Sequence, residues 1–207
     1  MHFINRWNKS KGLRKECLLQ FLSNYVQVKS MPLEEVPFER FPYLLHPYRA
    51  VLVTCGMKKP NIIAIAWIMP VSRNPPLLAL SVSPKRYSHK LIVEDGEFVV
   101  NIPPYELRKK VLFCGRKSGK DLDKFEATGL TKEPSKKVKV PRIGECVAFL
   151  ECKLEMAIPA GDHDIFVGRV VSAYVKEGVL TERSVYDLKV VNPLLHLGRD
   201  EFTTTKT

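Results

Sequence analysis

Between residues 50 and 175, short apolar runs alternate with turn-forming clusters, a pattern that predicts strands more often than helices. Residues 50–55 are a compact apolar run, and Lys58-Lys59-Pro60-Asn61 turns the chain behind it. Residues 62–69, rich in isoleucine, read as a second strand. Ser72-Arg73-Asn74-Pro75-Pro76 then enforces a loop, because two prolines remove backbone donors and restrict φ. Residues 77–82 form a third expected strand and residues 97–102 a fourth, with Gly96 placed to end a short helix over 88–94. The longest alternation runs over residues 146–158, with Cys146, Ala148, Leu150, Cys152, Leu154, Met156 and Ile158 on one side. Residues 159–163 turn this strand back into a partner over 165–175. A further helix is expected over 119–128, with Ser118 as N-cap and Gly129 as stop. Strands without regular strand–helix alternation, and few helices, specify a mainly β chain closed as an antiparallel barrel.

Composition narrows this picture modestly. A length of 207 residues suits one domain with a single sizeable core, and 45% apolar with 27% charged residues is ordinary for a folded protein. Residues 1–30 read as an N-terminal extension, in which Leu18, Leu19, Leu22 and Tyr25 suggest a short amphipathic helix over 15–28. Met31 opens the expected functional domain, residues 31–207. The longest apolar stretch of the extension, residues 17–22, is too short for a secretory signal, and no run approaches the roughly 18 residues of a membrane span. A cytoplasmic protein without membrane contact is therefore expected.

The net charge is +11, and the first 30 residues hold Arg6, Lys9, Lys11, Arg14, Lys15 and Lys29 against Glu16 alone. A basic surface attracts nucleic acid or phosphorylated cofactors. No arginine-rich run, helix-turn-helix pattern or RNP-like aromatic motif specifies nucleic acid, which leaves that partner as the weaker reading. The five cysteines, Cys17, Cys55, Cys114, Cys146 and Cys152, are odd in number and contain no CxxC pair, against both a disulfide framework and a zinc site. Cys146 and Cys152 share a strand face in this reading, yet stand roughly 20 Å apart, too far to bridge. They read as small buried hydrophobes.

The chemistry-bearing segment is Ser81-Val82-Ser83-Pro84-Lys85-Arg86-Tyr87-Ser88. A strand ends with Ser81 and Ser83 on one side, Lys85 and Arg86 follow in a proline-initiated turn, and Ser88 is placed to cap a helix. Hydroxyls, a guanidinium fork and a helix N-terminus are what a phosphate dianion requires. The loop Gly115-Arg116-Lys117-Ser118-Gly119-Lys120-Asp121 is not a P-loop: the glycines are one residue too close, and Asp121 stands where Ser or Thr binds magnesium. His163 sits in the turn Gly161-Asp162-His163-Asp164, and no nucleophilic triad or metal-ligand histidine pair accompanies it.

Several segments in this order resemble the flavin reductase-like family, which includes flavoredoxins and archaeal ferric reductases. They are Asn61-Ile62-Ile63-Ala64-Ile65-Ala66-Trp67-Ile68-Met69-Pro70-Val71-Ser72, then Asn74-Pro75-Pro76, the Ser81 to Ser88 segment, Gly96-Glu97-Phe98-Val99-Val100-Asn101-Ile102-Pro103, Ser118-Gly119-Lys120-Asp121 with Lys124-Phe125, and Gly161-Asp162-His163 before Phe166-Val167-Gly168. The resemblance covers roughly residues 36–198 and implies an FMN-binding split β-barrel, usually a homodimer with the flavin near the subunit interface. It implies that Met69, Pro70, Val71 and Ser72 line the isoalloxazine edge, with Trp67 beside them. Ser81, Ser83, Lys85, Arg86 and Ser88 hold the ribityl phosphate, in a segment that also brings Val82 and Tyr87 to the cofactor. Ser118, Lys120 and Asp121 approach from their loop, and His163 lies near the nicotinamide or flavin face. Leu195-His196-Leu197-Gly198-Arg199-Asp200 departs from the family's usual glycine pair and aromatic, leaving His196 as the C-terminal candidate contact.

A bound flavin carries its own redox chemistry, which fits a sequence with a binding constellation and no catalytic triad. The leading expectation is an NAD(P)H-dependent reductase, with NADH or NADPH as transient donor and free flavin, ferric iron or a protein as acceptor. No GxGxxG fingerprint distinguishes it from a non-enzymatic FMN electron carrier. A basic nucleic-acid-binding barrel is the third reading.

Overall fold

The structure, a computed structural model, describes residues 26–205. Most of the helix expected over 15–28 lies outside the described residues; residues 26–29 are helical. Among the described residues, those up to Phe41 belong to one unit and those from Pro42 onward to a second.

The second unit is built on seven antiparallel strands: β2 (Val51–Cys55), β3 (Asn61–Ile65), β4 (Ile68–Ser72), β5 (Leu77–Val82), β6 (Glu97–Ile102), β9 (Ala148–Ala160) and β10 (His163–Val175). Their order in the sheet is β3-β2-β6-β9-β10-β5-β4. The two edges, β3 and β4, are consecutive in the chain and joined only by Ala66 and Trp67. Such a link spans at most about 11 Å, so the sheet must curl until its edges nearly meet. This is an antiparallel barrel split between β3 and β4. The single strand expected over 62–69 is thus two strands on opposite sides of the split. Smaller sheets join β1 (Tyr48–Arg49) to β11 (Leu195–Gly198) and β12 (Glu201–Thr203), and β7 (Lys132–Glu133) to β8 (Arg142–Ile143).

Both faces of β2 and β6 are buried, because each face has its own core. Val51, Val53, Phe98 and Val100 point into the barrel with Leu80 and Phe166. Leu52 and Val99 point outward, where Val111, Phe125, Ile143 and Phe149 cover them. At Gly168 on β10 a Cβ would stand 2.4 Å from the Phe98 ring, so only glycine lets that ring fill the interior. Three α-helices complete the unit among the described residues: α1 (Tyr87–Asp95), α2 (Arg108–Arg116) and α3 (Lys124–Thr128).

Several local expectations need correction. Cys146 precedes β9 and packs in the outer core, whereas Cys152 packs in the barrel, so the two do not share a face. The helix expected over 119–128 is only α3, capped by Asp123, whose carboxylate accepts from the backbone of Phe125 and Glu126; Ser118 caps nothing. The αL stop at Gly129 stands as expected. Helix α2 is absent from the sequence reading, since only Val111 and Cys114 of it are buried, one short apolar contact on an otherwise basic segment.

Candidate functional site

The barrel delivers the 81–88 segment to the end of β5. Arg86 N–H donates to Ser83 O at 2.9 Å, closing the turn, and α1 begins at Tyr87. Arg86 itself occupies the N-cap with extended φ and ψ, and no side chain caps the helix. The first-turn N–H groups therefore lack the usual side-chain acceptor, and the positive end of a nine-residue helix opens beside the exposed Lys85 and Arg86.

Ser88 is not the cap. Its buried hydroxyl accepts from Asn61 Nδ2 at 2.8 Å, tying the first turn of α1 to the start of β3. The buried Asn61 Oδ1 has no partner and faces the 118–121 loop: a Cβ on Gly119 would fall 1.9 Å from it. Only glycine allows that loop to press against Asn61. The sheet thus brings the loop of Ser118, Lys120 and Asp121 to the root of the same helix end. Ser118 Oγ accepts from Lys120 N–H at 3.2 Å, and all three side chains are exposed.

The other end of the candidate site lies on the outward side of β4, β5 and β10. Ser81 N–H donates to Trp67 O at 3.0 Å, and Ser81 pairs with Ile165 across β10. Trp67, 41% exposed, stands beside His163 with ring centroids 5.1 Å apart. His163 is the first residue of β10 rather than a free turn residue, paired with Ala160, and its Nδ1 lies 2.8 Å from Asp162 Oδ1. Met69, Pro70 and Val71 are exposed along β4, Ser72 is half-buried at its end, and Ser83 and Tyr87 are half-buried in the turn.

Two candidates are placed differently from the rest. The Val82 side chain is buried in the barrel core, so only its backbone can face a ligand. His196 belongs to the three-stranded sheet, where it packs on His46 and Phe202 and its Nε2 lies 2.9 Å from Arg199 O. None of these contacts is with another candidate residue.

The structure adds residues to which the sequence reading gave no site role. Lys124, 3% exposed, sends its Nζ to the carbonyls of Ile62 and Cys114, each at 2.7 Å. His89 Nε2 meets Asp164 Oδ2 at 2.7 Å, linking α1 to the residue after His163. A lysine opening a short helix reads as solvated, and a histidine–aspartate pair 75 residues apart has no sequence signature. Burial pushes the Cys55 thiol up to about 12, against the Ser88 hydrogen bond and the Lys124 charge, and holds Cys114 at about 11. Both are inert thiols near this end of the barrel. No cluster with metal-ligand geometry occurs among the described residues.

Fold and site together define a split antiparallel barrel with an uncapped helix end beside two exposed cations and an aromatic–histidine pair at its rim. The chain belongs to the flavin reductase like domain family, which matches residues 43–205. It is similar to an Archaeoglobus fulgidus protein, 45% identical over 127 residues, covering 61% of this chain and 72% of that protein. Among solved structures it is similar to the flavoredoxin of Methanosarcina acetivorans, with TM-score 0.74 and 29% identity over 86% of this chain and 93% of that one. A Thermus thermophilus FMN-binding protein, solved with bound cyclohexenone, aligns with TM-score 0.74 and 28% identity over 84% and 94%.

Proposed function

We propose that this chain binds FMN and passes electrons from NADH or NADPH through it to an acceptor. The observation that carries the reading is the uncapped N-terminus of α1 beside Lys85 and Arg86, one strand from the Trp67–His163 pair. A phosphate monoester suits the first: it accepts from N–H groups that no side chain serves, and the Arg86 fork adds a charge-assisted contact. The hydroxyls of Ser81 and Ser83 supply neutral donors on the way. A flat, amphipathic ring system suits the second, with Trp67 and Met69 as apolar surface. FMN, when bound, supplies the hydride and single-electron chemistry. The chain's own residues bind, orient and shield: Arg86 and the helix end fix the anionic end, and His163 borders the ring face. The flavoredoxin and the FMN-binding protein among the similar structures support the cofactor.

We also infer a homodimer. Exposed apolar side chains line two cross-strand rows on the outward face, Met156 and Met69 in one, Ile158, Ile165 and Trp67 in the other. A second copy covering them would also enclose the Trp67–His163 pair.

The test is an absorption spectrum of the protein after reconstitution with FMN, followed by anaerobic addition of NADH or NADPH. A retained flavin spectrum that bleaches with nicotinamide is the expected result. A protein that stays colourless overturns the reading. A flavin that resists both nicotinamides but accepts electrons from a redox protein identifies an electron carrier instead.

A further inference from the structure

Beyond the first 30 residues, the positive charge of the chain is concentrated on one layer. Residues 108–142 hold twelve lysines and arginines against four aspartates and glutamates, a net +8 in a chain of +11. Residues 1–30 account for +5, so everything else is slightly acidic. The layer comprises α2, α3 and the loop that follows, and Val111, Phe125, Val138 and Val140 pack it against Leu52 and Val99 on the outside of the barrel. Its apolar side chains point to the barrel and its lysines point away. Lys137 and Lys139, for instance, are exposed between the buried Val138 and Val140 and their neighbours.

Only part of this charge is neutralised within the protein. Arg116 pairs with Asp200, Lys132 with Asp123 and Arg142 with Glu133. Lys109, Lys117, Lys120, Lys137 and Lys139 are exposed and have no ion-pair partner among the described residues, while Asp121 and Glu126 are the exposed acids of the segment. Lys109 and Lys117 stand at opposite ends of α2, about 12 Å apart at helical rise. That spread exceeds one small anion and suits the face of a macromolecule. The lysine loop is also fixed in advance, because the buried Glu151 carboxylate accepts from the N–H groups of Lys136, Lys137 and Val138. A pre-ordered loop loses less entropy when a partner docks on it.

Two observations select the partner. Rings in the layer are already covered by cations: Arg108 lies 4.6 Å from the Tyr105 centroid, Lys132 5.0 Å from Phe125 and Lys136 4.4 Å from Tyr174. Those rings are closed to stacking nucleobases, which favours a protein over a single-stranded nucleic acid. The layer also adjoins the candidate cofactor site, since Gly119, between Lys117 and Lys120 in the chain, presses on Asn61. Resting on the FMN reading above, we infer that this layer docks an acidic electron-transfer protein and steers it to the flavin. Each fully reduced flavin gives up two electrons, its two protons pass to water, and two acceptor molecules gain one electron each. Complementary charge raises the rate of encounter and is screened by salt.

The experiment uses one redox centre with two charges: native cytochrome c, which is basic, and cytochrome c with succinylated lysines, which is acidic. Reduced holoprotein is mixed with each under anaerobic conditions. At low ionic strength the acidic form is expected to be reduced about tenfold faster, with the difference vanishing near about 0.5 M salt. Lys109→Glu/Lys117→Glu/Lys137→Glu should abolish the preference and leave reduction of menadione, a small neutral quinone, unchanged. Equal rates for the two cytochromes, or a preference that survives the charge reversal, overturns the proposal. If the triple reversal does not fold, Lys109→Gln/Lys117→Gln/Lys137→Gln carries the same comparison, with a smaller loss of preference. Displacement of the acidic cytochrome by a duplex oligonucleotide at physiological salt assigns the layer to nucleic acid and overturns it too. A protein that holds no FMN reduces neither cytochrome nor menadione, which removes the FMN reading itself. Co-sedimentation of that flavin-free protein with the acidic but not the native cytochrome then supports the docking surface, and co-sedimentation with neither overturns it.

Discussion

Arg86 stands where a serine or aspartate would normally satisfy the first turn of α1, and it has no acceptor to offer. A helix of this length tolerates a missing cap at a cost of about 1 kcal/mol, which a bound anion can offset. Arg86→Ala is accordingly expected to weaken FMN about ten- to a hundredfold, the worth of a charge-assisted contact, while leaving thermal stability of the flavin-free protein nearly unchanged. Equal FMN affinity in wild type and variant would remove the phosphate from this helix end. His163 is a different case. Its ring stands beside Trp67 and Asp162 at the mouth of the candidate ring site, so His163→Ala should retain FMN and slow nicotinamide oxidation in stopped-flow assays. Turnover equal to wild type would leave it as a surface strand residue.

At the scale of elements, the strands were legible because turn residues bracket them: Lys58-Lys59-Pro60 ends β2, the 72–76 cluster separates β4 from β5, and β6 spans the expected residues 97–102. Which face of each strand is buried was not legible. Alternation signals one wet face, and β2 and β6 have none, since Leu52 and Val99 meet the outer core while Val53 and Phe98 meet the barrel. The phosphate segment could be read locally, as its donors are contiguous; Asn61 and Lys124 join it only through tertiary contact. Glu151 shows the same limit. It alternates as a polar strand residue, yet is fully buried, its carboxylate accepting from the backbone of Lys136, Lys137 and Val138 and from the Tyr174 hydroxyl. Burial alone would raise its pKa, but the Lys136 N–H, the Tyr174 hydroxyl and the other N–H groups outweigh it and hold the carboxyl below its usual range. The stabilisation is therefore complete above the ordinary glutamate pKa of about 4.3 and fades as pH falls through the lower folded value. Glu151→Ala should cost about 3 kcal/mol in urea unfolding at neutral pH by stranding four donors, of which the Val138 N–H is buried, with the loss shrinking in acid. A pH-independent difference between the two proteins would show that the carboxylate charge does not hold the 136–138 loop.

At the scale of the whole molecule, closing the sheet buries one side of β10 and β5 in the barrel, and the opposite side of β5 and the first half of β10 carries exposed apolar side chains. Phe166 and Leu80 point inward, while Ile165 and Met69 are 36% and 60% exposed on the far side. Val167 and Ala79, nearly buried between them, make a smooth apolar floor. A contiguous apolar patch of this kind on a barrel wall fits the proposed homodimer, in which a symmetric pair of barrels would cover each patch with its twin. It would also take the Trp67–His163 pair out of bulk water, where a flavin ring is better protected from wasteful reaction with solvent species. Ile165 is the residue to test, since it sits mid-row between Ile158 and Ser81 and its side chain makes no polar contact among the described residues that a substitution would disturb. Ile165→Asp should leave the barrel folded, as its side chain is outside both cores, and raise the dimer dissociation constant at least about a hundredfold by burying an unpaired charge. In sedimentation velocity the wild type is expected as a dimer and the variant as a monomer, with FMN retention falling in parallel. A wild-type monomer that holds FMN as tightly as the variant would place the cofactor site wholly within one chain and leave the outward face for another partner.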